Sequence, residues 1–465
     1  KQVLNIMVIF GFMLNYMLRV NMTIAIVSMV IPSKISSLNG EEINQTRYPW
    51  NEYEVNIILG SFFWGYICTE LPGGRLAEII GPKKVFGYSM LVSSAVTFLT
   101  PWLATYGYIA VAMLRTVIGF MLGATWPAIQ PMTARWIPPT ERSKFVSNMM
   151  DLASSLGAAL TMPICGFLIA YFGWESVFYV TGTIGLMWSI AWFLLIFDSP
   201  AQHPRISIEE RRYIEESIGT TTTTKRLSVP WKCIFLSIPV WSIVLTHSCN
   251  VFGYFTVVNQ LPTYMKLLLS FILFYNGMLS SLPYLGKYIF AVTTSTVADY
   301  LFKNKKLSVT SIRKIFTSFA VLTPGLLMII QANYGCDRVT SVSIFTIALT
   351  INGAVTAGYL GNGLDIAPNF AGTIFGMMNT LGSLGGLLSS YMVGTITYKN
   401  QTYARWSIIF WILASIYCFG AFTFLIFGNG QLQTWNNPEQ KQNRKKANTD
   451  NNFDAIEFAS LKENT

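Results

Sequence analysis

Val3-Leu-Asn-Ile-Met-Val-Ile-Phe-Gly-Phe-Met-Leu-Asn15-Tyr-Met-Leu-Arg19-Val-Asn21-Met-Thr-Ile-Ala-Ile-Val-Ser-Met-Val-Ile31 carries a single charge, Arg19, near its middle. At about 1.5 Å of rise per residue, a helix of this length crosses roughly 30 Å of hydrocarbon. The run is too long for a signal-peptide core and has no convincing cleavage site, so it reads as a retained span. Arg19 lies about eleven residues, or roughly 16 Å, from the outer end, beyond easy snorkelling reach. A guanidinium at that depth needs acceptors within the protein.

The pattern recurs along the chain. Val55 to Leu71, Val85 to Leu103, Tyr108 to Pro131, Phe145 to Phe172 and Val177 to Phe197 complete a first set of six. After a polar gap come Ile234 to Tyr264, Phe271 to Ala298, Ile315 to Ala332, Val342 to Gly361, Phe370 to Ile396 and Trp406 to Phe427. Charged residues make up 12% of the chain, about half the roughly 25% of a soluble domain, so lipid is the solvent. The expectation is an all-α membrane protein with 12 transmembrane helices in two six-helix halves, residues 1–197 and 234–428. Residues 198–233 read as a cytoplasmic linker too short for a catalytic domain, and 429–465 as a disordered cytoplasmic tail. Lys1 is not a methionine, which points to a short N-terminal tail ahead of it.

The formal charge of +10 would suit a nucleic-acid partner only if the bases clustered on one soluble face. They sit in loops instead. Arg75, Lys83, Lys84, Arg135, Arg142 and Lys144 fall on one side and far fewer on the other, so loop charge puts both termini in the cytoplasm. The sequons at Asn44 and Asn400 then face outward, where glycosylation happens. Only Cys336 of six cysteines falls in an outer loop, and no disulfide framework is implied. His203 and His247 make no metal site, and no nucleotide-binding loop or hydrolase constellation is present, so an enzyme is not expected.

Between the second and third spans lies Gly74-Arg-Leu-Ala-Glu78-Ile-Ile-Gly81-Pro-Lys83-Lys84. Its glycines permit a tight turn, and an acid beside bases can form an ion network that holds an inner gate shut. Ala298-Asp299 before Lys303 echoes it in the second half, and Trp174-Glu-Ser-Val-Phe178 is echoed by Trp406-Ser-Ile-Ile-Phe410, which suggests a duplicated unit. Gly74, Glu78, Gly81, Lys83 and Asp299 are the candidate gating residues. Arg115, Gly119 and Gly123 follow one another at four-residue spacing, which lets helices pack closely. Arg115 is near the outer end of its span, where it can snorkel. For Arg19, a bundle lining with few acids leaves a bound anion as partner, the alternative being a structural pair with Asp151 or Glu70. Lys287 stands mid-way in the eighth span, either adding charge to a cavity or pairing with an acid or backbone group.

The Gly74 to Lys84 segment resembles the major facilitator signature, and Arg115 to Gly123 resembles that superfamily's second one. Nearly the whole chain is similar to the sodium/phosphate cotransporter family of organic and inorganic anion carriers, which includes sialin and the vesicular glutamate transporters. The segments that carry this are Leu18-Arg-Val-Asn-Met22, Gly60-Ser-Phe-Phe-Trp-Gly-Tyr66, Leu71-Pro-Gly-Gly74, Pro138-Pro-Thr-Glu-Arg-Ser-Lys144, Gln260-Leu-Pro-Thr-Tyr264, Leu364-Asp-Ile-Ala-Pro368 and Gln433-Thr-Trp-Asn436. The resemblance implies a major facilitator fold, alternating access, and an anionic substrate met by Arg19, with Arg115 and the seventh span as walls. The candidate substrate-binding set is Arg19, Asn15, Tyr66, Arg115, Asn250, Tyr254 and Asn379.

Departures narrow the branch. Sialin-like and glutamate-carrying members place acids in the fourth span where this chain has Ile118 and Leu122. The glutamate branch has a histidine and a seventh-span arginine where this chain has Leu59 and Asn250. What remains resembles the insect branch named for inorganic phosphate cotransport, with His247-Ser-Cys-Asn250 lining the cavity. The expected function is secondary active transport of a small anion, as a sodium-coupled phosphate or organic-anion symporter. The alternatives are a proton-coupled, sialate-like carrier and a non-transporting anion sensor. Sodium, the only cofactor considered, would draw on Asn379, Asn362, Asp151 and carbonyls. The partners expected are a small anion and the bilayer, with no nucleic acid, for a monomer in the plasma membrane.

Overall fold

The computed structural model describes residues 2–30, 48–137, 153–204, 206–218, 229–267, 273–304, 307–335 and 337–436. Asn44, Asp151 and the chain past 436 lie outside them. Twelve helical columns run through the described residues: α1 (Gln2–Val30), α2 (Glu52–Ile80), α3 (Pro82–Phe98), α4 (Tyr108–Gly123, resuming as Thr125–Trp136), α5 (Ser154–Phe172), α6 (Trp174–Leu195), α7 (Ile238–Leu267), α8 (Leu273–Lys303), α9 (Val309–Tyr334), α10 (Arg338–Asn352, continuing irregularly to Ile366), α11 (Ala371–Thr397) and α12 (Tyr403–Phe427).

Helix starts follow the local chemistry. Asn51 and Glu54 close a reciprocal capping box on α2, each side chain accepting the other's backbone N–H at 2.9 Å. Asp337 caps α10 through Thr340 N–H at 2.8 Å. Between α2 and α3 the chain turns on one residue, Gly81, whose φ of 108° lies where side chains rarely go. Asp198, just past α6, accepts the Lys83 N–H at 2.7 Å and fixes this turn.

Seven columns are long and apolar enough to qualify as spans by composition alone. Of the other five, α3 has only 17 residues, while α2, α7, α8 and α11 are long but more polar. The halves meet where α2 packs on α11, α8 on α5 and α7 on α1, so these four line the seam together with α1 and α5. At the end near Asn400 the seam is closed by Gln260 Nε2 donating to Asn56 Oδ1 at 2.6 Å, and by Lys399 N–H donating to Glu52 at 3.2 Å. Within each half small residues allow close approach. A Cβ on Gly119 of α4 would collide with the Phe62 carbonyl of α2, and one on Gly65 with the Thr116 carbonyl.

Residues 206–218 of the linker include a helix (Ile208–Ile218), with Arg211 and Glu215 paired at 2.9 Å. The tail differs from its sequence reading over its first residues. Asn362 Nδ2 donates to the Asn429 carbonyl at 3.1 Å, Gln433 N–H to the Ile366 carbonyl at 2.8 Å, and the buried Trp435 ring lies 6.1 Å from Phe370. Residues 429–436 are thus docked, because one buried indole and a few backbone bonds outweigh a polar composition.

Candidate functional site

Two arginines meet at α1 and are used differently. Arg115 of α4 is 3% exposed. It donates from Nη1 to the Leu18 carbonyl at 3.1 Å and from Nη2 to the Arg19 carbonyl at 2.9 Å. Snorkelling, open to it on sequence grounds, does not occur, since both terminal nitrogens are held by the α1 backbone and its Nε is buried without a hydrogen-bond partner among the described residues. Arg19 instead sits inside a ring cage. Its guanidinium carbon is 4.1 Å from the Phe255 centroid, 4.9 Å from Phe62, 5.0 Å from Phe63, 5.3 Å from Tyr66 and 5.8 Å from Tyr16. Ring faces attract the cation by about 0.5–2 kcal/mol each, and the Tyr66 hydroxyl accepts a hydrogen bond from it, which leaves the rest of its N–H fork in need of acceptors.

Among the described residues no carboxylate is within ion-pair distance of Arg19, although the Glu70 charge is near enough to be attracted by it. Glu70, buried one turn beyond Tyr66, is engaged across the seam, its Oε2 accepting from Ser383 Oγ at 2.9 Å. The fourth-span positions noted in the sequence, Ile118 and Leu122, are buried apolar packing.

The C-terminal half presents a polar wall. His247, Asn250 and Tyr254 share one face of α7, spaced three and four residues apart. The Tyr359 hydroxyl lies 3.2 Å from His247 Nδ1 and accepts from Asn250 Nδ2 at 3.1 Å. Asn352 Nδ2 donates to Asn250 Oδ1 at 2.6 Å, and Asn379 bonds His247. Tyr359 reaches this wall because α10 loosens into a short 3-10 turn (Gly353–Val355) and a wide turn (Thr356–Leu360), with Gly358 at ψ −126°. The halves touch where the Tyr16 and Tyr254 hydroxyls pair at 2.7 Å, and Lys287 Nζ stands 3.9 Å from the Tyr254 centroid.

Arg19 and Tyr66 on one side therefore meet Tyr254 and Phe255 on the other, through the Arg19–Phe255 contact and the Tyr16–Tyr254 pair, while Asn250 and Asn379 belong to the wall around His247 and Tyr359. Asn15 turns away, donating to Thr125 Oγ1 at 3.0 Å and to Met90 Sδ at 3.9 Å. Of the gating set, Gly74 and Gly81 lie at the end of α2, Lys83 Nζ rests 4.5 Å from the Phe197 centroid, Asp299 is exposed near the end of α8, and the Glu78 side chain is outside the described residues. Asn400 is exposed. Asn362, a sodium-ligand candidate, bonds the tail, and no group of three His, Cys, Asp or Glu side chains is gathered among the described residues. Sequence reasoning missed Tyr359 and Asn352. The signal available was the glycine-dense stretch Gly353 to Gly363, which marks a broken helix.

The profile of the Major Facilitator Superfamily matches residues 8–390. A Drosophila ananassae protein named "Putative inorganic phosphate cotransporter" is 36% identical over 459 residues, covering 94% of each chain. Human sialin is 36% identical over 447 residues, covering 93% of this chain and 90% of its own. The crystal structure of a bacterial homolog of the human lysosomal transporter Spinster superposes with a TM-score of 0.65 at 12% identity, covering 91% of this chain and 97% of that one. At that identity the likeness bears on fold alone. The coverage and identity of the relatives make the chain a multi-pass membrane member of the Major Facilitator Superfamily, in the family that holds both sialin and the inorganic phosphate cotransporters, and a transporter rather than an enzyme.

Proposed function

We propose that the protein carries a small anion by alternating access, holding it at Arg19 under the rings of α1, α2 and α7. The observation that carries this reading is the mid-depth guanidinium of Arg19, caged by five rings and paired with no carboxylate among the described residues. An anion supplies the acceptors the rings lack, and its charge offsets that of the arginine in a poorly screened interior. The relatives support the same class, one named for phosphate cotransport and one being sialin. Arg115 acts as a positioning residue, fixing the α1 backbone from which Arg19 projects.

Sodium is the coupling ion in this reading, since α4 offers Ile118 and Leu122 where proton-coupled relatives have acids. A proton-coupled reading is favoured by one observation, the buried Glu70 carboxylate on the seam beside Ser383. Both termini are cytoplasmic, the Asn400 end faces outward in the plasma membrane, and the carrier works as a monomer. The full chain in sealed proteoliposomes should show saturable uptake of phosphate or an organic anion that an imposed sodium gradient accelerates and a proton gradient does not. Arg19→Ala should abolish it. Unaltered uptake in Arg19→Ala overturns the site, and tight binding without flux makes the protein a sensor.

A further inference from the structure

Two segments singled out in the sequence, Leu364 to Pro368 and Gln433 to Asn436, touch in the fold, the Gln433 N–H donating to the Ile366 carbonyl at 2.8 Å. The docked residues 429–436 leave the end of α12 and cross the start of α9. There the Gly430 N–H donates to Thr310 Oγ1 at 3.0 Å, and Thr310 Oγ1 donates to Asn429 Oδ1 at 3.4 Å. Next they meet the last part of α10, where the fully buried Asn362 donates from Nδ2 to the Asn429 carbonyl at 3.1 Å. They finish against Phe370, just ahead of α11, with the Trp435 ring 6.1 Å away. Eight residues thus strap four helices of the C-terminal half together.

The part of α10 held in this way is the part that has lost regular helical geometry. It passes through a 3-10 turn and a wide turn between Gly353 and Leu360, with Gly358 outside helical ψ. A stretch with irregular backbone bonding takes its position from the contacts around it. Arg313 of α9 supplies two of these, donating from Nη1 to the Ala357 carbonyl at 2.8 Å and from Nε to Asp365 Oδ2 at 2.7 Å. The strap adds its ties at Asn362 and Ile366. Tyr359 stands among these anchor points, less than one helical turn before Asn362. Its hydroxyl is the group that meets His247 and Asn250 in the polar wall.

We propose that residues 429–436 are a positioning strap for the cargo wall. By pinning Asn362 and Ile366 they hold the loosened part of α10 where Tyr359 delivers its hydroxyl to His247 and Asn250, so the strap sets anion affinity from outside the central site. This deepens the transport reading and rests on it for the wall's role in holding cargo. Trp435 and Thr310 are the anchors, and neither belongs to the wall. Every tie of the strap lies within the C-terminal half, so lifting it changes affinity without parting the two halves.

The test uses the full chain carrying Trp435→Ala, Trp435→Phe, Thr310→Val, Tyr359→Phe, or Tyr359→Phe and Trp435→Ala together. Hydrogen–deuterium exchange in detergent reads the strap without reference to transport. Thr310→Val removes the hydroxyl that joins Gly430 and Asn429 while keeping the side chain's shape. It should speed exchange across residues 356–366 several-fold and leave residues 108–123 as in wild type, with Trp435→Ala acting more strongly. In proteoliposomes the probes are labelled inorganic phosphate and labelled succinate. For whichever is taken up, Trp435→Ala and Thr310→Val should raise the half-saturation concentration several-fold with little change in maximal rate, and Trp435→Phe should restore it. Tyr359→Phe should raise it alone, and adding Trp435→Ala should raise it no further, because the strap acts through the hydroxyl already removed. Unchanged exchange across 356–366, unchanged half-saturation in the single strap variants, or effects that multiply in the double variant overturn the proposal. Should Trp435→Ala fail to fold, Thr310→Val decides by both readouts. If neither probe enters with the wild type, the transport reading fails for these anions, while the exchange result still decides whether the strap holds α10.

Discussion

Arg19 and Arg115 show how far a residue can be read from its position in a run. The depth of Arg19 followed from counting residues to the end of its span, and that depth alone required an internal partner. Arg115 could not be read this way, because its acceptors are the carbonyls of Leu18 and Arg19, which no side-chain pattern reveals. The planar fork reaches two successive carbonyls at once, and an ammonium on a flexible stem holds such a pair poorly. Arg115→Lys should therefore destabilise the protein by about 2 kcal/mol, the scale of one lost charged hydrogen bond. A lower unfolding temperature in detergent, with reduced anion affinity because α1 is no longer pinned, checks this. An unchanged temperature would show that the two bonds do not hold the helix.

At the level of helices, hydropathy located every column, but composition alone understated α2, α7, α8 and α11, which line the seam with α1 and α5. Sequence does not say which spans will face the other half. The four-residue spacing of Arg115, Gly119 and Gly123 did announce a close helix contact, and the partner turned out to be α2, with Gly65 interlocked in return. Gly119→Leu should prevent that contact and leave no monodisperse protein on size exclusion. Gly372→Ala, at a position with open space around it, should elute as wild type, and aggregation of both would trace the failure to something other than packing. The unwinding of α10 was less legible, since its glycines mark a weak point without telling which side chain the break delivers. Tyr359 is the one delivered, onto His247 and Asn250. In the tail, a stretch dominated by Asn and Gln hid Trp435, whose single buried ring governs residues 429–436.

Seen as a whole, the duplicated signatures placed two halves in the sequence, and the fold sets a different device in each at the centre: a ringed arginine in one, a polar wall with Lys287 in the other. Neither half closes the centre alone. The contacts Gln260 to Asn56, Tyr16 to Tyr254 and Ser383 to Glu70 all cross the seam, so rocking the halves must break bonds as well as slide surfaces. The ring cage around Arg19 has a further consequence for the working cycle. Once cargo leaves, a cation is left among aromatic faces with the Tyr66 hydroxyl accepting from its fork and no anion there, and the empty carrier must make its return stroke in that condition. Reorientation without cargo should then be the slow leg. Labelled anion should leave preloaded vesicles several times faster when unlabelled anion waits outside than when the outside is bare, and equal rates would mean that the cage does not burden the empty molecule. A carrier built this way trades one anion for another more readily than it accumulates either.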